Sequence, residues 1–203
     1  MIKTFNQAVR FLEQYIPTPD KKHLGELGLK RMQYLMELLG NPQLRYPTIH
    51  VGGTSGKGST ATIIASILAT KYKVGLHTSP HLVKINERIK ILSKPKSFWG
   101  AERLQNPFDS TQGKRFWTSQ NDIKSKDFVD QVIYIKPFVE KLEKSKLGAP
   151  SYWEIVTAIG FLYFYQQRVD LAVIEVGLGG RFDASNVIEP KVSVITNVGL
   201  DHT

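Results

Sequence analysis

The sequence predicts an α/β fold in which helices flank a mostly parallel sheet that carries a phosphate-binding P-loop. Short apolar runs alternate with helical patterns, and strands that alternate with helices pair in parallel through right-handed crossovers. The runs at 171–176 and 192–196 are apolar almost throughout, which is typical of strands buried on both faces. A glycine-rich segment at 50–60 joins an apolar run to a helical pattern. These observations define the class before any residue is given a role.

Turn residues and apolar spacing divide the rest of the chain into elements. Helices are predicted at 4–15, 27–39, 59–71, 126–146 and 152–167, and Pro137 interrupts the fourth of them. Strands are predicted at 47–51 and 74–77, before the two apolar runs near the end of the chain. Residues 93–123 are polar and are interpreted as a surface insertion, although basic residues beside aromatic ones also occur where single-stranded bases stack.

The segment at 50–60 is the most informative stretch of the chain. A strand, a glycine turn and a helix N-terminus present free amide groups and the positive end of the helix dipole to a phosphate. Lys57 would reach the outer phosphates. A strict P-loop would have glycine where Val51 stands and a hydroxyl where Gly58 stands, and here the hydroxyl comes one residue late, at Ser59. The residues predicted to bind ATP are Gly53, Thr54, Ser55, Gly56, Lys57, Gly58, Ser59 and Thr60.

Three further loops follow predicted strands, at 78–81, 177–180 and 197–202. Since ligands gather at the carboxyl ends of parallel strands, these loops and the glycine-rich segment are expected to form one site. His77 and His81 have a spacing that zinc ligands use on helices, but Pro80 between them disfavours a helix. Arg181 and Asp183 would either serve the site or pair with each other to brace a glycine-rich loop.

The composition of the chain excludes some classes of protein but does not determine the function. The 203 residues are 41% hydrophobic, which is enough for a core, and they include no cysteine, which excludes disulfides and thiolate chemistry. The formal charge of +9 suits nucleic acid and polyanionic small molecules equally. No apolar run is long enough to span a bilayer and the first residues lack a signal-peptide pattern, so a cytoplasmic protein is expected.

Five motifs in one order resemble the folylpolyglutamate synthase/dihydrofolate synthase group of the Mur ligase superfamily. The first is the glycine-rich segment 50–60, which we name the nucleotide loop, and its Gly58-Ser59 pair is the pattern of that group. The others are Thr78-Ser79-Pro80-His81-Leu82 with Glu87-Arg88-Ile89, Glu154 with Thr157-Ala158, residues 175–187, and residues 196–202. The resemblance extends over nearly the whole chain outside 93–123.

The resemblance implies an ATP-dependent amide ligase. In this group ATP phosphorylates the carboxylate of dihydropteroate or a folate, and L-glutamate displaces the phosphate from the acyl phosphate. ATP and Mg²⁺ are the implied cofactors, with Lys57, Glu154 and His202 as catalytic residues. Ser59, Glu154 and His202 are the implied metal ligands. The implied folate-binding residues are Thr78, Ser79, Pro80, His81 and Leu82.

Glu154 and His202 each have an ordinary structural interpretation as well. Glu154 could be an acid favoured in the first turn of a helix, and His202 could simply be solvated. Their interpretation as ligands depends on their occurrence together with Lys57 and Ser59.

The resemblance also sets expectations for the domains. Residues 1–203 are expected to form a truncated N-terminal ATP-binding domain, similar to the Mur ligase central domain and incomplete at its C-terminus, with the C-terminal ligase domain absent. This chain alone is expected to show little ligase activity, and the strand at 192–196 is expected to expose an apolar edge that promotes self-association. The full-length protein is expected to be monomeric, without a nucleic-acid or membrane partner.

Three other functions remain open at this point. Another Mur-type ligase would act on a cell-wall precursor instead of a folate. A non-catalytic module would bind the nucleotide only. A basic nucleic-acid-binding protein would use the charge and the aromatic residues of 93–123.

Overall fold

Within the part of the chain that the structure describes, five α-helices and five strands carry the loops predicted to form the site. The computed structural model describes residues 2–17, 25–93 and 121–199. The helices are α1 (Phe5–Glu13), α2 (Glu26–Leu38), α3 (Lys57–Leu68), α4 (Ser125–Glu143) and α5 (Tyr152–Gln166). The strands are β1 (Thr48–Gly52), β2 (Val74–His77), β3 (Ile89–Leu92), β4 (Leu171–Glu175) and β5 (Val192–Ile195). Short 3₁₀ turns lie at Pro42–Leu44 and Ile85–Arg88.

The five strands form one sheet in the order β3-β2-β4-β1-β5. Every neighbouring pair is parallel except β2 with β3, which is antiparallel. The predicted mostly parallel sheet is therefore confirmed, and β3 is a strand that the sequence patterns did not reveal. It follows β2 through residues 78–88, which include a 3₁₀ turn but no crossover α-helix, and such a connection suits an antiparallel neighbour better than a parallel one.

The two faces of the sheet carry different layers. Side chains alternate along β4, so Ala172 and Ile174 join the core formed with α1, α2, α4 and α5. Val173 points to the other face and packs with Ala61 and Ala65 of α3. Both faces of the central strand are thus covered, which is why its sequence is almost continuously apolar.

Glycine allows α5 to lie close to the sheet. A Cβ on Gly75 of β2 would stand 2.8 Å from the ring of Phe164, and a Cβ on Gly160 would stand 2.8 Å from His77 Cδ2. Both separations are shorter than a carbon–carbon contact permits, so a side chain at either position would push the helix away. This close packing holds the second half of α5 on the sheet, with Gly160 beside His77 at the carboxyl end of β2.

The edge strand β5 is largely exposed. Val192 and Ile195 retain 51% and 70% of their accessible surface. No helix among the described residues is both long enough and apolar enough to cross a membrane. The insertion predicted at 93–123 falls mostly on residues outside the described ranges.

Candidate active site

The glycine-rich segment forms the predicted strand–loop–helix. Gly53 and Gly56 have φ angles of 132° and 75°, which side chains rarely tolerate, and α3 begins at Lys57. The amide of Thr60 donates to Gly56 O at 2.9 Å and so makes the first turn of the helix. The amides of Lys57, Gly58 and Ser59, at the start of α3, have no partner within the helix and are therefore available to an anion. Lys57 Nζ donates to Gly53 O at 2.8 Å and folds over the loop.

The residues after β5 hold this loop in place. Asn197 Oδ1 accepts from Ser55 N at 2.9 Å, and its Nδ2 donates to Ser55 Oγ at 2.8 Å. Asn197 O accepts from Thr54 N at 3.0 Å. Thr196 Oγ1 donates to Ser55 O at 2.7 Å. We name residues 196–199 the loop brace. The sequence placed them at the same sheet edge but gave no sign of these contacts.

Glu175, the last residue of β4, lies directly against the nucleotide loop. A Cβ on Gly58 would stand 3.3 Å from Glu175 Oε1, so the absence of a side chain at position 58 gives the carboxylate room. Its Oε2 accepts from Ser79 N at 2.8 Å. Glu175 is only 4% exposed, and burial raises the pKa of its carboxyl group. A buried carboxylate thus connects the nucleotide loop to the loop after β2.

Glu154, the carboxylate expected as a metal ligand, has other partners. Arg31 Nε and Nη2 donate to its two oxygens at 3.0 and 2.9 Å, and both side chains are buried. Glu154 also closes the N-terminal capping box of α5 with Ser151. The contacts of Glu154 are therefore those of an acid in the first turn of a helix, paired with an arginine. The carboxylate beside the nucleotide loop is Glu175. His202 lies outside the described residues.

A cleft of about 1060 Å³ opens beside these groups. It lies between α2, the start of α5 and the loops that follow β2 and β4. Trp153 and Phe182 supply aromatic surface, while Ser79 and Glu175 line the side nearest the nucleotide loop. The lining thus combines aromatic surface with polar groups near the nucleotide loop.

The loop at 78–82 is anchored to the turn that follows it. Thr78 N donates to Arg88 O at 3.0 Å, and Arg88 Nε donates to His81 Nδ1 at 2.8 Å. Three backbone amides, at 82–84, donate to Glu87 and lower the pKa of its carboxyl group. Ser79 and Pro80 line the cleft, whereas Leu82 is 91% exposed. The expected folate-binding residues thus divide into a part that faces the cleft and a part that faces solvent.

The two histidines of this region differ in their environment. His77 is buried among the residues that line the cleft, and within the described residues neither ring nitrogen has a hydrogen-bond partner. His81 Nδ1 is occupied by Arg88. The described part of the chain contains no cluster of three metal-ligating His, Cys, Asp or Glu side chains. The geometry gives no support to a zinc site at this pair.

Asp183 braces the glycine-rich loop after β4. Its carboxylate accepts from Leu178 N and from Ser185 N, both at 2.9 Å. Arg181 instead lies over the ring of Phe182, with its Cζ 5.3 Å from the ring centroid. The sequence left open whether Arg181 and Asp183 serve the site or pair with each other to brace the loop. Asp183 does brace the loop, but it does so through backbone amides and not through Arg181.

The fold and the loop define a P-loop α/β protein with a cleft at the same sheet edge. No family model matches the sequence. The chain is 39% identical over 177 residues to a dihydrofolate synthase/folylpolyglutamate synthase of Bacillus subtilis, covering 86% of this chain and 35% of that protein. It is 38% identical over 181 residues to a dihydrofolate synthetase of Saccharomyces cerevisiae, a match that covers 87% of this chain and 35% of that protein.

Solved structures give the same result. A folylpolyglutamate synthase from Thermotoga maritima matches with a TM-score of 0.75 and 35% identity, over 97% of this chain and 38% of that one. A complex of FPGS with AMPPCP and folate matches with a TM-score of 0.77 and 34% identity. The match covers 99% of this chain and 42% of that one. The chain belongs to the folylpolyglutamate synthase/dihydrofolate synthase family, which confirms the resemblance found in its motifs, and it spans 35–42% of the length of these relatives.

Proposed function

We propose that this chain carries the nucleotide loop and the acceptor cleft of an ATP-dependent ligase that adds L-glutamate to dihydropteroate or a folate. The names of its relatives and the ligands of the FPGS–AMPPCP–folate complex support this function. The chain also contains the two kinds of site that such a reaction needs, side by side. A cytoplasmic location and a monomeric full-length protein remain predictions.

One observation carries the proposal: Glu175 contacts the nucleotide loop and also lines the cleft. A phosphate held by the loop and a carboxylate held in the cleft would therefore meet at this residue. Phosphoryl transfer between two anions depends mainly on positioning and on neutralisation of charge. The arrangement suits transfer from the nucleotide to the cleft better than it suits simple nucleotide binding.

The residues at this junction fit a magnesium ion. Glu175 offers a buried carboxylate that accepts from the amide of Ser79, and Ser59 follows Gly58, the loop residue nearest that carboxylate. Both serines carry hydroxyl groups. Mg²⁺ keeps several waters and binds through one or two carboxylates together with substrate phosphates. We therefore propose Glu175, with Ser59, Ser79 and His202, as the protein side of the metal site, and we assign Glu154 to the ion pair with Arg31. When bound, Mg²⁺ would neutralise charge on the phosphates.

The side chains of this chain would act mainly by binding and orienting. The free amides of the loop and Lys57 would bind the β- and γ-phosphates, with Lys57 Nζ leaving the carbonyls of Gly53 and Thr54. An oxygen of the acceptor carboxylate attacks the γ-phosphorus, giving ADP and an acyl phosphate. The amine of glutamate then attacks the acyl carbon, releasing phosphate and a proton. The cleft would shield the acyl phosphate from water.

Hydroxylamine trapping tests the first half of the reaction without needing glutamate. We expect the purified chain to bind Mg-ATP and to form a hydroxamate from dihydropteroate only when ATP is present. Lys57→Ala should weaken Mg-ATP binding at least tenfold, since it removes the charge on the outer phosphates. Lys71→Ala, on an exposed residue after α3, is the matched control.

The outcomes separate the competing functions. Mg-ATP binding without any hydroxamate would favour a nucleotide-binding module. Hydroxamate formation from a UDP-linked muramyl acid but not from dihydropteroate would favour a cell-wall ligase. Absence of Mg-ATP binding would contradict the proposal altogether.

A further inference from the structure

Arg88 is a buried arginine on the wall of the cleft. It ends the 3₁₀ turn Ile85–Arg88, immediately before β3, and its carbonyl accepts the amide of Thr78. The residue is only 3% exposed, yet it lines the cleft. Its backbone and its position are thus fixed by the same loop that reaches Ser79.

The guanidinium is oriented on two sides but has no carboxylate partner. Its Nε donates to His81 Nδ1 at 2.8 Å, and its Cζ lies 4.8 Å from the centroid of the Trp153 ring. Within residues 2–17, 25–93 and 121–199, Arg88 forms no salt bridge, and its terminal nitrogens donate no hydrogen bond.

Arg31 provides an internal comparison. It is the other buried arginine that lines the cleft, with 7% exposure, and both oxygens of Glu154 neutralise it. Burying a charge without a partner is costly, so buried arginines are normally paired in this way. Arg88 carries the same cost without the same compensation among the described residues. An anion supplied by a ligand would provide it.

The fixed orientation also indicates which anion would bind. A guanidinium held at Nε and at one face presents its remaining N–H groups in a plane, which matches a carboxylate in bidentate geometry. Trp153, stacked on Arg88, gives the same part of the cleft an aromatic surface. Arg88 O accepts from Thr78 N, and the next amide, Ser79 N, donates to Glu175 Oε2, so Arg88 lies toward the side of the cleft that borders the nucleotide loop.

We propose that Arg88 binds the carboxylate of an aromatic acid in the cleft and holds it for phosphorylation. This inference rests on the proposed function and adds the residue that recognises the reacting group. Arg88 would also offset the repulsion between the carboxylate and the approaching phosphate.

A thermodynamic cycle tests this role by changing the charge of the ligand and the side chain at position 88, separately and together. Titration calorimetry would measure the binding of dihydropteroate and of its neutral carboxamide to the wild-type chain and to Arg88→Gln. We expect the wild-type chain to bind the acid at least tenfold more tightly than the amide, and Arg88→Gln to bind both equally weakly. Arg88→Lys should retain part of the preference, because the charge remains but the bidentate geometry is lost.

Two controls separate recognition from general effects. Arg10→Gln removes the same charge from an exposed residue of α1 outside the cleft and should change the preference for the acid by less than threefold. Binding of Mg-ATP to Arg88→Gln should equal that of the wild-type chain, which also shows that the variant is folded.

Each outcome supports or overturns the assignment. If Arg88→Gln keeps the preference of the wild-type chain for the acid, Arg88 does not bind the carboxylate, while the proposed function stands. If Arg88→Gln binds the acid normally and Mg-ATP poorly, the residue serves the nucleotide and the assignment fails. If the wild-type chain binds neither the acid nor Mg-ATP, the proposed function fails, and the assignment fails with it.

Discussion

Two buried titratable side chains that line the cleft, Glu175 and His77, are both driven toward their neutral forms by burial. Glu175 is held ionisable beside a phosphate loop, at a position where burial favours its neutral form. His77 is buried with unpaired nitrogens, where burial also favours the neutral form. We therefore expect Glu175 to affect ligand binding and His77 to affect the pH dependence of folding.

Glu175→Gln should stabilise the free protein and weaken its Mg²⁺-dependent binding of ATP. Because the folded state raises the pKa of this carboxyl above its ordinary value of 4.5, ionisation at neutral pH costs folding free energy, and glutamine removes that cost. The variant should melt at a higher temperature at pH 7, with the difference shrinking as the pH falls toward 4.5. Its Mg²⁺-dependent affinity for ATP should fall at least tenfold.

Glu154→Gln is the control for this experiment. It leaves Arg31 buried without a charged partner and should lower the melting temperature whether or not Mg²⁺ is present. Identical effects of Mg²⁺ on ATP binding by Glu175→Gln and by the wild-type chain would contradict the role given to Glu175.

His77→Leu should make the protein less sensitive to acid. Burial, and secondarily the charge of Arg88, lower the pKa of His77 from 6.5 to about 4. The unfolded chain therefore binds a proton below pH 6.5 that the folded chain refuses until about pH 4. The resulting loss of stability over this interval is about 3 kcal/mol. Urea unfolding at pH 7 and at pH 4.5 should show a smaller difference for the variant than for the wild-type chain. An equal difference would show that His77 does not titrate in this interval.

At the scale of elements, the nucleotide loop depends on a segment far away in sequence. Its two ends are fixed by β1 and α3, but the amides of Thr54 and Ser55 donate to Asn197, in the loop brace after β5. Gly53 leaves space for the same brace, because a Cβ there would come within 2.1 Å of Thr196 Oγ1. The shape of the loop is therefore a property of two neighbouring strands.

Asn197→Ala should loosen the loop without unfolding the sheet. It removes both side-chain hydrogen bonds to Ser55, each worth about 1 kcal/mol where the groups are shielded and less where they are exposed. We expect Mg-ATP binding to weaken by about three- to tenfold, with little change in melting temperature. Asn186→Ala, which removes one hydrogen bond to Arg181 O in another loop, is the control and should bind ATP normally. Unchanged affinity in Asn197→Ala would show that the brace is dispensable.

At the scale of the whole molecule, the sheet separates two layers and brings two sites to one of its edges. The glycine loop begins α3 on one face, and the cleft is closed by α2 and α5 on the other. Glu175 ends the central strand and reaches both sites. At one side of this sheet, β5 leaves apolar side chains and backbone groups exposed, and such edges promote association between chains.

Ile195→Lys should reduce self-association of this chain. Ile195 is 70% exposed on the edge strand, and a charged side chain on an edge opposes pairing with another strand. Sedimentation at increasing protein concentration should show fewer oligomers for the variant than for the wild-type chain. Lys191→Gln, which removes a charge next to the same strand, should not reduce association. A wild-type chain that stays monomeric at every concentration would contradict the expectation.

Much of the fold was predictable because it depends on local patterns. Helical spacing and turn residues placed all five helices within a few residues of their ends, and continuous apolar runs marked β4 and β5. β3 was missed although Arg88-Ile89-Lys90-Ile91 alternates polar and apolar residues, because so short an alternation is a weak signal without its partner β2. The carboxylate beside the loop was also missed, although Glu175 ends a buried strand at the edge where ligands bind.

The sequence by itself determined the class, the nucleotide loop and the family, because these follow from motifs whose residues are near neighbours in the chain. Only the tertiary structure decided which charged groups are paired. Arg31 neutralises Glu154 across 123 residues of sequence, while Glu175 and Arg88 have no salt-bridge partner within the described residues. Pairing of buried charges depends on distance and desolvation, which no local pattern encodes, and it is this pairing that distinguishes a structural carboxylate from one available to a ligand.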